Sequence, residues 1–152
     1  MKSTYKIILI VLAVVVIMVA VFSKKASETK MLNPLPSGRK TSRFGEDRGT
    51  YKHNGLDLAA PIGTPIIAPL DGIVSAIYNN SAGGNQMLIL HTNGITTGYA
   101  HLSKTLVKIG DFVNRGQTIA QVGNTGRSTG PHLHFTVTIL GVKQDPEKFI
   151  TT

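Results

Sequence analysis

The distribution of apolar and polar residues divides the 152-residue chain into distinct parts. The first contains an unbroken apolar run over residues 7–22, flanked by lysines. As a helix this run would be about 24 Å long, against a bilayer core of about 30 Å, and flanking residues can make up the difference. The pattern favours an uncleaved membrane anchor over residues 1–23, a transmembrane helix that meets the lipid bilayer through residues 7–22. A cleaved signal peptide, whose apolar region is typically roughly 7–15 residues, is the alternative.

Residues 24–37 are polar, poor in aromatic residues and contain two prolines. This composition predicts a flexible tether between the anchor and the rest of the chain. From residue 38 the sequence consists of short apolar runs separated by glycines. We therefore expect residues 38–152 to form one folded domain.

The domain contains several short runs rich in β-branched residues, separated by turn sequences such as Asp-Gly and Asn-Gly. These runs predict strands at Thr64–Ala68, Gly72–Tyr78, Gln86–His91, Ile95–His101, Thr118–Val122 and His132–Leu140. No amphipathic helix of useful length is evident. Short strands at spacings near ten residues favour a mainly β domain, an antiparallel sandwich or open barrel.

Composition and charge narrow the classes of partner. The chain has no cysteine, so disulfides and thiolate metal sites are excluded. The net charge of +8 is shared evenly between residues 1–30 and residues 31–152, which leaves the domain only mildly basic. Because no basic run is interleaved with aromatic residues, we expect no nucleic-acid partner. The oligomeric state is left open.

The candidate chemistry begins with the pair His132 and His134. Side chains alternate along a strand, so both imidazoles point to one face, while Leu133 and Phe135 point to a core. Two imidazoles this close would repel each other if both were protonated, so at least one is expected to be neutral or bound to a cation. A metal ion is the natural candidate.

Two further motifs strengthen this interpretation. His53 and Asp57 flank Gly55, which lets the backbone turn sharply enough for both side chains to reach one ion. His101 ends a predicted strand on which Thr97, Tyr99 and His101 share a face. Nitrogen and carboxylate ligands without sulfur are typical of catalytic rather than structural zinc sites.

The stretch from about residue 42 to residue 150 resembles the lysostaphin-type (LytM-like) zinc endopeptidases of peptidoglycan. The resemblance is carried by Ser42-Arg43-Phe44-Gly45, His53 to Asp57, Ala60-Pro61-Ile62-Gly63-Thr64-Pro65, Asn93-Gly94, Tyr99-Ala100-His101-Leu102, Gly110-Asp111-Val113-Gly116, Gly126-Ser128-Thr129-Gly130-Pro131-His132-Leu133-His134-Phe135 and Asp145-Pro146. It implies the duplicated hybrid-motif β-fold. It also implies that His53, Asp57 and His134 ligate one Zn²⁺ per chain, while His101 and His132 serve catalysis.

The implied activity is hydrolysis of peptide bonds in the stem peptides or cross-bridges of peptidoglycan by a metal-activated water. The sequence does not define which bond is cut. The alternative is a catalytically silent member of the fold that regulates cell-wall amidases or acts as a scaffold; such domains typically lack a ligand or a catalytic histidine, and none is missing here.

Two departures from the family pattern are present. Thr136 stands where the family often has glutamate, and the link from Phe44 to His53 is brief. Neither removes a ligand or a catalytic imidazole, so we expect an active enzyme. The fifth histidine, His91, has no evident route to the metal and is predicted to be structural.

The implied substrate places the domain outside the cytoplasm, as a single-pass membrane protein of the cell envelope whose amino terminus stays in the cytoplasm. Lysines on the two sides of the apolar run nearly balance, so this orientation rests on function and not on charge. Secretion through a signal peptide is the alternative, and a virus particle with a membrane is another setting that the sequence leaves open.

Overall fold

A computed structural model describes residues 2–151; Met1 and Thr152, the outermost residues of the predicted anchor and domain, lie outside the described residues. The chain begins with helix α1, Lys2–Ser27, which is 26 residues and so about 39 Å long. Residues 4–25 are exposed throughout. The helix is long and apolar enough to cross a membrane, although a signal sequence would have the same properties.

The regular secondary structure in the rest of the described chain is almost all β-strand, as predicted. The strands are β1 Met31–Leu32, β2 Arg39–Ser42, β3 Leu56–Ala59, β4 Pro65–Ile67, β5 Gly72–Asn80, β6 Gly84–Leu90, β7 Ile95–Leu102, β8 Lys104–Thr105, β9 Phe112–Val113, β10 Thr118–Gln121, β11 His132–Ile139, β12 Val142–Gln144 and β13 Ile150–Thr151, with 3-10 helices at Thr92–Gly94 and Pro146–Lys148. All six predicted strands are present, with their ends shifted by at most two residues. Sequence patterning missed the short strands β1, β2, β3, β8, β9, β12 and β13.

One large antiparallel sheet organises the domain. Its order is β2-β3-β11-β7-β6-β5-β9, with β12 paired to the far end of β11. A small sheet, β4-β10-β8, supplies a second layer. The apolar side chains between the layers form one core cluster, whose fully buried members include Leu58, Ile66, Ile89, Ile119, Phe135 and Val137.

Strand β11 lies at the centre of the large sheet, between β3 and β7. Its residues Leu133, Phe135 and Val137 are buried in the core, so the alternation predicted for this strand is confirmed. His134 is paired with Asp57 of β3 on one side and with Ala100 of β7 on the other. The opposite face of β11 therefore brings His134 beside Asp57.

The segment predicted to be a flexible tether, residues 24–37, is largely ordered against the domain. Helix α1 continues to Ser27, and β1 pairs in parallel with β13. Met31 and Leu35 are fully buried. Composition alone misses this packing, because two apolar residues in a polar segment are enough to attach it to a core.

The last turn of α1 also touches the domain. Ala26 is fully buried, and α1 contacts the 3-10 turn Thr92–Gly94. That turn precedes β7, whereas His101 lies near the other end of the same strand. Six residues of strand span about 20 Å, so the helix joins the domain far from the histidine cluster.

Candidate metal centre and active site

Three potential ligand atoms meet at one point on the outer face of the large sheet. Oδ1 of Asp57 lies 3.1 Å from Nε2 of His53 and 2.8 Å from Nδ1 of His134. The two histidine nitrogens are 3.1 Å apart. Tetrahedral zinc with ligand distances of about 2.0–2.1 Å separates its ligands by about 3.3 Å, so this group fits a zinc ion closely.

Different parts of the fold deliver these side chains. Strand pairing places Asp57 next to His134, whereas His53 arrives on the loop between β2 and β3. In that loop, the His53 amide donates to the Glu46 carbonyl at 2.8 Å, and the Gly45 amide donates to the His53 carbonyl at 2.8 Å. Two backbone hydrogen bonds therefore hold the loop ligand in place.

Gly55 is needed here for a reason other than the predicted sharp turn. A Cβ at this position would lie 2.5 Å from the carbonyl oxygen of Phe135 and 2.7 Å from the His134 ring. Its φ does not lie in the left-handed region. The glycine therefore permits close approach of the loop to β11, and through it the closure of the site.

The outer atoms of two candidate ligands are also bound. Nδ1 of His53 donates to the carbonyl of Arg43 at 2.8 Å, which leaves Nε2 free to bind a metal. The Arg48 guanidinium donates to Oδ2 of Asp57 at 2.8 Å, which leaves Oδ1 directed at the histidines. Sequence reasoning missed Arg48, because nothing in its spacing distinguishes it from other loop cations.

Asp57 is held in its ionised form. Burial by itself would raise the pKa of this carboxyl, but hydrogen bonds from His134 and His53, together with their charges, outweigh burial and hold the pKa well below its ordinary value. At neutral pH the Asp57 side chain is therefore a carboxylate, which is the form that a metal ligand requires.

His101 and His132 form a second pair beside the ligand group. Their ring centroids are 4.6 Å apart. Nδ1 of His101 donates to the carbonyl of Thr125 at 2.7 Å, and Nδ1 of His132 donates to the carbonyl of Gly130 at 2.8 Å. Each ring then has Nε2 available for proton transfer, and that of His132 lies 3.9 Å from Oδ1 of Asp57.

The prediction that Thr97, Tyr99 and His101 share a face is wrong for His101. Thr97 and Tyr99 are buried on the core side, where their two hydroxyls are hydrogen-bonded to each other at 2.9 Å. His101 adopts a φ of +61°, which breaks the alternation and turns its side chain toward His132. A non-glycine residue in this region costs on the order of 1–3 kcal/mol, and such strain is concentrated at functional sites.

The environment of His101 favours the neutral imidazole. Burial lowers its pKa, the carbonyl of Thr125 opposes that shift, and the charges of His132 and His134 lower the pKa further. A neutral imidazole with a free Nε2 can accept a proton at pH 7.

These side chains line an open cleft of about 720 Å³. One wall is formed by the loop that carries Arg48 and Tyr51, and the other by the hairpin tip at Ala82–Gly83 and by residues 127–131. An open cleft of this volume can accommodate a peptide of several residues.

Two other residues singled out from the sequence lie outside this group. His91 is buried, with Nδ1 hydrogen-bonded to the carbonyl of Asp71 at 2.8 Å and Nε2 to Oγ1 of Thr97 at 2.7 Å. Thr136 lies two residues beyond His134 on the strand and accepts a hydrogen bond from Lys143 at 3.1 Å. A lysine therefore covers the position where the family often has glutamate.

Comparison with known proteins agrees with this description. Residues 51–146 match the model of peptidase family M23. ShyC, a peptidoglycan DD-endopeptidase of Vibrio cholerae, is 43% identical over 120 residues, which are 75% of this chain but 28% of ShyC. The chain therefore spans little more than a quarter of that relative.

Solved structures show the same likeness. A zinc-containing peptidase from Vibrio cholerae is 38% identical with a TM-score of 0.69, over 76% of this chain and 37% of the other. The catalytic domain of lysostaphin from Staphylococcus simulans is 35% identical with a TM-score of 0.68, over 74% of this chain and 92% of the other. The β-fold is shared with these peptidases, and the group of His53, Asp57 and His134 could hold a metal ion. The chain belongs to peptidase family M23, and the resemblance to lysostaphin-type enzymes is confirmed.

Proposed function

We propose that this protein is a zinc-dependent endopeptidase that hydrolyses peptide bonds of peptidoglycan. The observation that carries the proposal is the convergence of three ligand atoms, none more than 3.1 Å from another, beside two imidazoles whose Nδ1 atoms are bound to backbone carbonyls. Metal ligation and proton transfer are thereby separated between two sets of residues. This division is typical of hydrolytic metal sites.

In this proposal His53 Nε2, Asp57 Oδ1 and His134 Nδ1 hold one zinc ion per chain. Zinc there supplies a water of lowered pKa and a Lewis acid for the amide carbonyl. His101, neutral and buried, accepts a proton from the attacking water and returns it to the leaving amine. His132 donates a hydrogen bond to the developing oxyanion from Nε2 in its protonated form, because its Nδ1–H is held by the Gly130 carbonyl. Water adds to the carbonyl carbon, the C–N bond breaks, and the products are a carboxylic acid and an amine.

The substrate class is supported by the relatives. ShyC is a peptidoglycan DD-endopeptidase, and its 43% identity with this chain makes DD-type peptide bonds the first substrates to test. The mildly basic domain is compatible with an anionic wall polymer. The proposed partner is therefore the peptide part of peptidoglycan.

The direct experiment is digestion of purified peptidoglycans that differ in their cross-links by the detergent-solubilised full chain, with mass spectrometry of the products. We expect cleavage of a peptide bond that a metal chelator abolishes and zinc restores. Full hydrolysis after exhaustive chelation would contradict the zinc mechanism. Full zinc occupancy without hydrolysis of any peptidoglycan would instead support the silent regulator or scaffold.

In the same proposal, α1 anchors the chain in the bilayer with the domain outside the cytoplasm. The support is the length and apolar surface of α1, together with the location of the proposed substrate. The buried Ala26 and its neighbours then hold the domain close to the membrane, with the cleft at the far end of β7 from the helix.

A further inference from the structure

His134 uses its two ring nitrogens for different contacts. Nδ1 faces Asp57 and His53 inside the candidate zinc group, whereas Nε2 lies 3.1 Å from Oδ1 of Asn54, on the outside of the group. We infer that Asn54 is a positioning residue for zinc, which orients the His134 ring by accepting a hydrogen bond from Nε2–H. This inference rests on the proposed zinc site of His53, Asp57 and His134.

The chemistry of imidazole gives this contact its role. A neutral imidazole has one lone pair and one N–H, so a ring that binds metal through Nδ1 must carry its proton on Nε2. A partner that accepts that proton selects the correct tautomer and raises the basicity of the ligand nitrogen. The Asn54 side-chain oxygen is an acceptor at the required place.

In the metal-free protein, Asp57 has the opposite effect on which nitrogen of His134 carries the proton. Its Oδ1 lies only 2.8 Å from His134 Nδ1, so in the metal-free protein the carboxylate favours a proton on the nitrogen that must bind zinc. Asn54 opposes this by favouring the proton on Nε2. Removing the Asn54 acceptor therefore increases the cost of freeing Nδ1 for the metal.

The backbone brings Asn54 to the ring. Its neighbour Gly55 packs so closely that an added Cβ would lie 2.9 Å from His134 Nε2. The chain at residues 54–55 thus runs directly over the edge of the imidazole, between the ligands His53 and Asp57.

With Asn54 included, all three candidate ligands have a partner on the atom that faces away from the metal. His53 uses the backbone carbonyl of Arg43, and Asp57 uses the guanidinium of Arg48. The partners of Asp57 and His134 are side chains, and that of His134 is an uncharged one that can be removed by substitution without changing the charge of the site. Because Asn54 is exposed, a substitution there changes no core packing.

The experiment compares Asn54→Leu, which removes the acceptor at similar size, with Asn54→Asp, which keeps an acceptor oxygen. Asn79→Leu is the matched control, since Asn79 is also exposed and its side chain bonds only to Asn85 among the described residues. Zinc affinity of the full chain is measured by competition with a chromogenic chelator. We expect Asn54→Leu to weaken zinc binding by about 10- to 100-fold, as loss of a partner behind a metal ligand typically does. Asn54→Asp should bind zinc at least as tightly as the wild type, because its carboxylate is a stronger acceptor, and Asn79→Leu should bind zinc like the wild type.

A spectroscopic measurement tests the tautomer directly. In ¹⁵N-correlated spectra of the imidazoles of the zinc-free protein, we expect Asn54→Leu to lower the fraction of His134 with its proton on Nε2. Circular dichroism and thermal unfolding check that each variant is folded, and Asn54→Ala provides a second truncation if the leucine variant does not fold.

Two results would overturn the inference: wild-type zinc affinity in both truncations, or an equal loss of affinity in Asn54→Asp and Asn54→Leu. The second would show that the shape of asparagine matters and not its acceptor. Failure of the proposed function looks different, because the wild-type chain itself would then bind no zinc or hydrolyse no peptidoglycan.

Discussion

At the scale of single residues, the five histidines fall into three environments. His53 and His134 share a carboxylate, His101 and His132 donate to backbone carbonyls, and His91 is enclosed by hydrogen bonds in the β-domain. Histidine thus occurs in this protein as a proposed metal ligand, as a proposed proton carrier and as a buried structural residue. The environment of each histidine decides which of its ring nitrogens carries a proton.

The proposed roles predict different consequences of alanine substitution. His134→Ala and Asp57→Ala should lose zinc and activity together, because a site with three protein ligands cannot lose one and keep its affinity. His101→Ala should retain about one zinc per chain and lose about 10²- to 10⁴-fold in turnover, the usual contribution of general acid–base catalysis. Zinc content by atomic absorption and peptidoglycan hydrolysis measure the two effects.

Loss of metal from His101→Ala would contradict the assignment of its role. The control is His91→Gln, because the described hydrogen bonds of this histidine are to Asp71 and Thr97 and not to the proposed metal ligands. That variant should retain both zinc and turnover.

His91 also predicts a pH dependence of stability. Burial lowers its pKa, with the carbonyl of Asp71 opposing the shift. Because the unfolded chain then binds a proton that the folded chain does not, the stabilisation is complete above the unfolded pKa, near 6.5, and is lost as pH falls toward the lowered folded pKa. Urea unfolding between pH 5 and 7.5 should show a shallower pH dependence for His91→Gln than for the wild type; identical slopes would contradict this account.

At the scale of elements, β11 does most to assemble the site. One face supplies Phe135 to the core, and the other supplies His134 to the proposed zinc site. Pairing with β3 then sets Asp57 directly beside His134. A shift of one residue in this register would turn Asp57 into the core, so the site and the core depend on the same pairing.

The segment after α1 links the helix to the domain and also contributes to the domain core. Leu35 is fully buried although it lies between two prolines in a polar stretch. We expect Leu35→Ala to lower the free energy of unfolding by about 2–5 kcal/mol, as truncation of a buried leucine usually does. Leu90→Ala, at a half-exposed position, is the control and should change it far less. Denaturant unfolding of both variants measures the difference, and equal effects would show that the segment is not part of the folded unit.

At the scale of the whole molecule, the helix and the cleft lie at opposite ends of the domain. Helix α1, whose last turn contains the buried Ala26, contacts the turn that precedes β7, and His101 lies near the other end of that strand. A chain anchored by α1 would therefore present its cleft about 20 Å from the point where the helix joins the domain.

The proposed topology predicts the outcome of protease treatment of bacterial spheroplasts that express the full chain. We expect the domain to be digested from outside while residues near the amino terminus remain with the membrane. A domain that becomes digestible only after lysis would contradict the orientation. A soluble protein beginning near Lys24 would instead show that the apolar run is a cleaved signal peptide.

Sequence by itself determined the features that depend on local periodicity. The apolar run over residues 7–22 predicts a helix, and alternation along residues 132–137 places two histidines opposite a core. Both predictions hold because helix and strand periods are properties of the backbone itself. The family motifs added the five proposed site residues, and the fold brings these five residues together in one cleft.

Only the tertiary structure decided which side chains face each other across the sheet. His101 departs from the alternation of its strand, because its amide donates to the carbonyl of Gly83 and its ring to that of Thr125, both distant in sequence. Arg48 and Asn54 reach the ligands through the path of a loop, and Leu35 enters a core that its own neighbours do not reveal. These features arise from long-range contacts, and no pattern within a short window of sequence carries them.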